Sequence, residues 1–288
     1  MGKLKWYVVL LVFALFIVAP GYAIHAEKQP SMEVHFIDVG QGDCILIKTP
    51  NDKIILIDGG TPESGEEIVG FLKEQQINRI NLLIVTHPDI DHIGGLTKVI
   101  KSTKIDKVLD SGKLYTTQTY RKYINQITKK NIPVEIAEKN QVIKLDPSIE
   151  IRVLNTYAPF RDNNESSIAL KVTYKEMDFL LLGDIKKEQE KKLAGDLQAE
   201  IIKVAHHGSR TSSALDFLKK VNPKVAVLTY SKQNDYGHPV DQVIENLNKV
   251  NALIYSTAVF GNITITTDGN EYYIWTEKGP TSGLDEEG

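Results

Sequence analysis

Short apolar runs, each closed by a polar or glycine-rich turn, recur from Glu33 onward and alternate with stretches of helical periodicity. Glu33 to Ile37, Cys44 to Ile47, Lys53 to Ile57 and Leu82 to Val85 read as strands, being short, rich in Ile, Val and Leu, and bounded by turn residues. A helix is predicted at 66–75, where Ile68, Phe71 and Leu72 share a face, and another at 118–130 with Tyr120, Tyr123, Ile124 and Ile127 at helical spacing. Residues 167–174 and 178–182 form a predicted hairpin, followed by Gly183-Asp184 and a charged helix to about Leu193. Further strands are expected at 107–109, 133–136, 141–145 and 150–154. The last third alternates strand (201–205, 223–230, 253–255) with helix (from Ala214, and 239–250), and Asp268-Gly269 marks a final hairpin.

This βα alternation predicts a layered α/β fold. No internal repeat or linker-like run divides the chain, so residues 32–276 are read as one domain. The first 26 residues differ in kind: Lys3 and Lys5 precede fourteen mostly apolar residues ending at Pro20-Gly21. That pattern predicts a signal peptide or N-terminal membrane anchor, and so a secreted or extracytoplasmic protein. Residues 277–288 read as an acidic, disordered tail. Loss of the first 26 residues would shift the formal net charge from -3 to -5, so the chain as a whole does not attract a polyanion. The single cysteine, Cys44, excludes an internal disulfide and reads as a core residue.

The chemistry concentrates at Thr86-His87-Pro88-Asp89-Ile90-Asp91-His92-Ile93-Gly94-Gly95, directly after the strand ending at Val85. Capping the following helix needs one carboxylate; two Asp and two His within six residues suit divalent metals, and suggest two ions. Asp58, Asp184 and the pair His206-His207 also follow apolar strands, which places them on the same sheet edge. Gly208 to Ser213 should open a helix whose free amides and hydroxyls hold phosphate, with Ser213 as its N-cap. Asp38 and Asp43 flank a Gly-Gln-Gly turn, where local backbone bonding accounts for them.

Taken together, His87-x-Asp89-x-Asp91-His92, Asp58, Gly183-Asp184 and His206-His207 resemble the metallo-β-lactamase fold superfamily. More narrowly, Asp38-Val39-Gly40-Gln41-Gly42-Asp43, Asn164-x-Ser166, His206-His207-Gly208-Ser209 and Tyr236-Gly237-His238-Pro239 resemble the C-terminal domain of ComEC competence proteins, here without that family's membrane helices. The resemblance implies an αββα four-layer sandwich, two mixed sheets face to face with helices outside, and a dinuclear site. His87 and Asp89 would bind one ion, and Asp91, His92 and one of His206 or His207 the other. Asp184 would bridge them, Asp58 would orient the metal loop, and the resemblance would also have Asp38 and Asp43 line the site. The superfamily's more common pattern has a histidine where this chain has Asp89, and a third-motif histidine where this chain offers Asn164 and Ser166. The extra oxygen ligand favours Mn²⁺ beside Zn²⁺.

The expected activity is metal-dependent phosphodiester hydrolysis, with DNA as substrate. Asp91, Asp184 and His238 would act in catalysis, and Asn164, Ser166, Ser209, Arg210 and Thr211 in substrate binding. Alternatives are another hydrolase on the same site (a teichoic-acid or phosphocholine esterase, lactonase or β-lactamase) and a non-catalytic DNA-binding protein. No protein partner is indicated, and any membrane contact would run through an uncleaved N-terminal anchor.

Overall fold

The computed structural model describes residues 30–155 and 162–280; the predicted targeting segment and residues 281–288 of the predicted tail lie outside these, while its first residues, Glu277 and Lys278, bond by backbone to Asn262 and Phe260. The strands in chain order begin with β1 (Met32–Phe36), β2 (Ile45–Lys48), β3 (Ile54–Ile57), β4 (Arg79–Ile80) and β5 (Leu82–Val85). Next come β6 (Lys104–Ile105), β7 (Val108–Asp110), β8 (Val134–Ile136), β9 (Val142–Ile143) and β10 (Glu150–Val153). The remainder are β11 (Leu170–Tyr174), β12 (Met177–Leu181), β13 (Ile201–Lys203), β14 (Val225–Leu228), β15 (Leu253–Ser256), β16 (Ile263–Thr267) and β17 (Tyr272–Thr276).

Eight of them form one sheet in the order β17-β16-β1-β2-β3-β5-β7-β8, and seven form a second in the order β15-β14-β13-β12-β11-β10-β9. Each sheet is antiparallel in one half and parallel in the other: β3, β5, β7 and β8 run parallel, as do β12 to β15.

Side-chain alternation explains why the sheets stack. On β2, β3 and β5, Ile45, Ile47, Ile55, Ile57, Leu82 and Ile84 face Leu170, Val172, Phe179, Leu181, Val225 and Val227 of the other sheet. The residues between them (Cys44, Leu46, Leu56, Leu83 and Val85) pack against the helices Gly65–Glu74, Leu96–Ser102 and Gln118–Lys129. The second sheet repeats this, turning Leu180, Ile202, Ala226 and Leu228 toward the helices Leu215–Val221 and Asp241–Lys249. The outcome is the four-layer αββα sandwich. Such strands, covered on both faces, read as continuous apolar runs. Tyr120 and Tyr123 are packing residues, as their spacing predicted, and the Tyr123 hydroxyl donates to Asp110 at 3.0 Å. No helix among the described residues is long and apolar enough to cross a membrane.

The predicted charged helix after Asp184 is only one turn, Lys187–Glu190. Its last residue caps a different helix. The Glu190 carboxylate accepts from the backbone amides of Ser213 and Ala214 at the start of Leu215–Val221, in place of the predicted Ser213 side-chain cap. Burial pushes the Glu190 carboxyl up to about 7, although both amides pull it down. The folded state therefore holds a proton that the unfolded chain releases near pH 4.5, and stability falls as pH rises from about 4.5 to 7. In thermal melts, Tm of the wild type is expected to drop between pH 5 and pH 8 by about 3–5 °C more than that of Glu190→Gln. Parallel pH slopes would contradict this.

Candidate metal centre

The C-terminal ends of the parallel strands meet along one edge of the sandwich, where open α/β sheets bind ligands. Asp58 follows β3, His87 follows β5, Asp184 follows β12, His206-His207 follow β13 and Thr229 follows β14. Asp58 sits in left-handed backbone (φ 58°) and is fully buried. Its Oδ1 accepts from the Thr86 amide (2.8 Å), and its Oδ2 from the Thr86 hydroxyl (2.6 Å) and His92 Nδ1 (2.7 Å). The metal loop is also clamped by backbone. Gly59 N donates to His92 O at 2.7 Å, and Asp43 N to Asp91 O at 3.2 Å. A Cβ at Gly42 would stand 2.2 Å from Asp91 O, so only glycine permits this approach.

All seven predicted ligands converge. Asp184 Oδ2 is the centre: His92 Nε2 lies 3.3 Å away, His207 Nε2 3.5 Å, His206 Nε2 3.7 Å and His87 Nε2 3.9 Å. Asp91 stands 3.3 Å from His207 Nε2 and 4.0 Å from His92 Nε2, and Asp89 stands 3.5 Å from His87 Nε2. The donor atoms of Asp91, His92, Asp184 and His207 all lie within 4.8 Å of one another.

A metal fits this donor set. Every Nδ1 is occupied from outside: His87 by Thr86 and Ser167 hydroxyls (3.1 Å each), His92 by Asp58, His206 by Thr211 (3.1 Å) and His207 by the Thr229 carbonyl (2.7 Å). The inward Nε2 atoms of His87, His92 and His207, and Asp184 Oδ1, are buried with no hydrogen-bond partner among the described residues. Orphaned buried acceptors are costly, and one nitrogen held while the other faces a shared space is how ligating histidines are presented.

The adjacent histidines divide between the two sides of Asp184. His207 belongs with Asp91 and His92. His206 is 3.2 Å from the Asn164 amide, while the neighbouring Asn163 donates to Asp89 Oδ1 at 2.6 Å, so His206 stands on the Asp89–His87 side. Consecutive residues of a strand point to opposite faces. Here both backbones are left-handed, with φ 51° at His206 and 53° at His207, which turns both rings into the site. Each such residue costs on the order of 1–3 kcal/mol unless its surroundings enforce it.

Of the groups behind the ligands, sequence reading found Asp58 and missed Lys203 and Thr229. Lys203 is fully buried; its ammonium pairs with Asp43, lies 3.3 Å from the Gly183 carbonyl and 3.9 Å from Asp184 Oδ1. Asp43 Oδ1 also accepts from the Thr229 hydroxyl at 2.6 Å, so Asp43 is more than the turn residue its setting implied. The available signal was a lysine inside the apolar run Ile201-Ile202-Lys203-Val204-Ala205, directly before the histidines. Asp43, Asp58 and His92 form a second group of metal-ligand type. Their facing atoms are already engaged by Lys203, Thr229, Thr86 and each other, which makes this trio a support for the first.

Charge compensation is visible in the titration of the cluster. Burial opposes ionisation throughout and is the largest single influence, yet the carboxylates together outweigh it: Asp184, Asp58 and Asp91 at His92, and Asp184, Asp91 and Asp43 at His207, which is lifted to about 9. The same pairs hold Asp184 and Asp91 below the carboxylate range against burial. Where no dication is present, protonated imidazoles supply the positive charge.

A cavity of about 120 Å³ opens over the centre, lined by Gln41, Asp89, Asp91, Asn164, Asp184, His206, His207, Tyr236 and His238. Of the predicted substrate contacts, only Asn164 lines it. Ser166 is buried and donates to Asn163 O at 2.5 Å, Ser209 Oγ and Thr211 Oγ1 bond each other at 3.0 Å, and Arg210 is exposed outside the cavity. The predicted phosphate-binding helix start is spoken for as well, since Glu190 takes its amides. His238 Nδ1 is buried with no hydrogen-bond partner among the described residues, and burial, with His206 and His207, pulls the ring down to about 4.

Comparison with known proteins agrees with this geometry. Residues 37–231 match the model of the metallo-beta-lactamase superfamily. The chain is 28% identical over 252 residues to ComE operon protein 3 of Bacillus subtilis, covering 80% of this chain and 32% of that protein. It is 28% identical to competence protein ComA of Neisseria gonorrhoeae, covering 84% and 33% respectively. The chain thus spans about a third of the length of these relatives. Among solved structures, the metallo-beta-lactamase fold protein YhfI from Bacillus subtilis superposes with a TM-score of 0.54 at 12% identity, covering 85% of this chain and all of that one. With its sandwich, its convergent histidines and aspartates and this match, the chain belongs to the metallo-β-lactamase superfamily.

Proposed function

We propose that this protein is a phosphodiesterase of the ComEC competence type that hydrolyses DNA outside the cytoplasm. The observation that carries the reading is the position of Asp184 Oδ2, within 3.3–3.9 Å of four imidazole nitrogens with further carboxylates on either side. Asp91, His92 and His207 would hold one divalent ion and His87, Asp89 and His206 the other, with Asp184 between them. Two divalent ions held by these residues would polarise a phosphoryl oxygen and lower the pKa of a bound water toward neutrality.

The chain's own residues supply the rest. Asp58 and the Thr229 carbonyl fix the rings of His92 and His207 so that Nε2 faces the space around Asp184 Oδ2. Asn164 and His238, at the mouth, are neutral hydrogen-bonding groups suited to non-bridging phosphate oxygens. With its ring held neutral, His238 serves better as such a contact than as a charged leaving-group acid. At about 120 Å³ the cavity is small and open to the surface, which suits a phosphoryl group with the rest of the substrate lying outside. That favours a polymer over a bulky lactam or lactone. The mix of carboxylate and imidazole ligands favours Mn²⁺ or Zn²⁺. The extracytoplasmic setting is supported by the charge and hydropathy of residues 1–26, and the competence link by the relatives' names.

Purified protein offered single- and double-stranded DNA, RNA, a nitrophenyl phosphodiester and nitrocefin, each with Mn²⁺ and with Zn²⁺, is expected to cleave the DNA and the nitrophenyl ester. Turnover of nitrocefin alone, or binding of DNA without cleavage in either metal, would overturn the proposal. Asp184→Ala is expected to lower bound metal from two ions per chain to one or none by elemental analysis. Its far-UV circular dichroism should match wild type, and hydrolysis should be lost. Undiminished metal content in that variant would remove Asp184 from the bridge.

A further inference from the structure

Beyond the reacting centre, the rim of the cavity carries a tyrosine, Tyr236, that the hydrolytic chemistry does not use, stacked on the phosphate-contacting His238. We propose that Tyr236 and His238 form a stacking subsite for an unpaired nucleobase flanking the scissile phosphate, so that the preferred substrate is single-stranded; this rests on the phosphodiester reading.

Tyr236 is 67% exposed, and its ring lies 5.6 Å from that of His238 with only 22° between their planes. His238 meets His206 edge-on at 5.6 Å. An aromatic ladder therefore climbs from a metal-facing histidine to the surface, and Tyr236 and His238 both line the cavity that contains Asp184. The ladder is held in place. Asn234 Oδ1 accepts from the amides of Tyr236 (3.1 Å) and His238 (3.0 Å), and its Nδ2 donates to the carbonyls of Ser231 and His238 (2.7 Å each). Gly237, at φ 66°, lets the chain turn between the two rings. A rigid turn presenting a flat apolar face beside a phosphate-sized cavity pre-pays the ordering that a mobile tyrosine would require.

Base stacking on aromatic side chains is sequence-tolerant, because every base has a π-face. It needs no basic groove, which suits a chain whose net charge is -3. A base inside a duplex already has its faces covered, so Tyr236 selects for an unpaired one.

The test reads binding and turnover separately. Fluorescence anisotropy, in chelator and without turnover, would compare a thymidine hexanucleotide, an abasic hexamer of the same charge and a duplex. Wild type is expected to bind the thymidine strand about ten-fold more tightly than the abasic strand, and more tightly than the duplex. Tyr236→Ala should erase that difference, Tyr236→Phe should keep it, and all three proteins should share one melting temperature. An abasic strand bound as well as thymidine by wild type, or a difference that survives in Tyr236→Ala, would overturn the stacking subsite. Turnover of the same strands with Mn²⁺ tests the phosphodiester reading by itself: stacking with no cleavage would sink that reading and leave the subsite standing.

Discussion

The structure depends on concentrating negative charge in a largely buried space at one edge of the sandwich. Asp43, Asp58 and Asp184 are buried, and Asp89 and Asp91 are half-buried beside them. Unpaired, such carboxylates would repel one another and protonate. Each is compensated by an identifiable partner. Asp43 has the buried ammonium of Lys203 and the Thr229 hydroxyl; Asp58 has the Thr86 amide and hydroxyl; Asp184 has a ring of imidazoles. What remains without a hydrogen-bond partner among the described residues is the inward set of Nε2 atoms on His87, His92 and His207, gathered around Asp184 Oδ2. A donor set so arranged is suited to a cation, and any proton on those histidines must leave when a metal binds.

The sandwich makes this arrangement possible because its two sheets bring their parallel halves to one edge. Asp58 and His87 come from one sheet, Asp184 and the His206-His207 pair from the other. Lys203 sits on the side of β13 that faces between the sheets, and its pair with Asp43 crosses that gap. The ion pair thus ties the two halves of the site together at the point where the ions would have to span them. Burying a lysine and an aspartate costs several kcal/mol per ion before pairing. Its place directly behind the bridging carboxylate is consistent with a role in orienting Asp184.

Much of the site was legible in the sequence, for physical reasons. Buried strands appear as apolar runs, and a ligand that follows such a run is placed at a strand end; His87, Asp184 and His206 obey this rule. The hidden parts depended on conformations that composition does not encode. Left-handed backbone at His206 and His207 sends adjacent rings to the two sides of Asp184, where alternation would have separated them. The serine-rich segment after Gly208 looked like a phosphate-binding helix start. Its amides instead go to Glu190, a residue more than twenty positions upstream whose approach no local pattern announces. Lys203 was disguised as an ordinary strand residue.

The most direct measurement of the central claim is anomalous diffraction from crystals grown with Mn²⁺. Two peaks are expected, both within about 2.0–2.3 Å of Asp184. One should have His87, Asp89 and His206 around it, and the other Asp91, His92 and His207. A single peak, or a metal lodged between Asp43 and Asp58 away from Asp184, would contradict the shared bridge on which the rest depends.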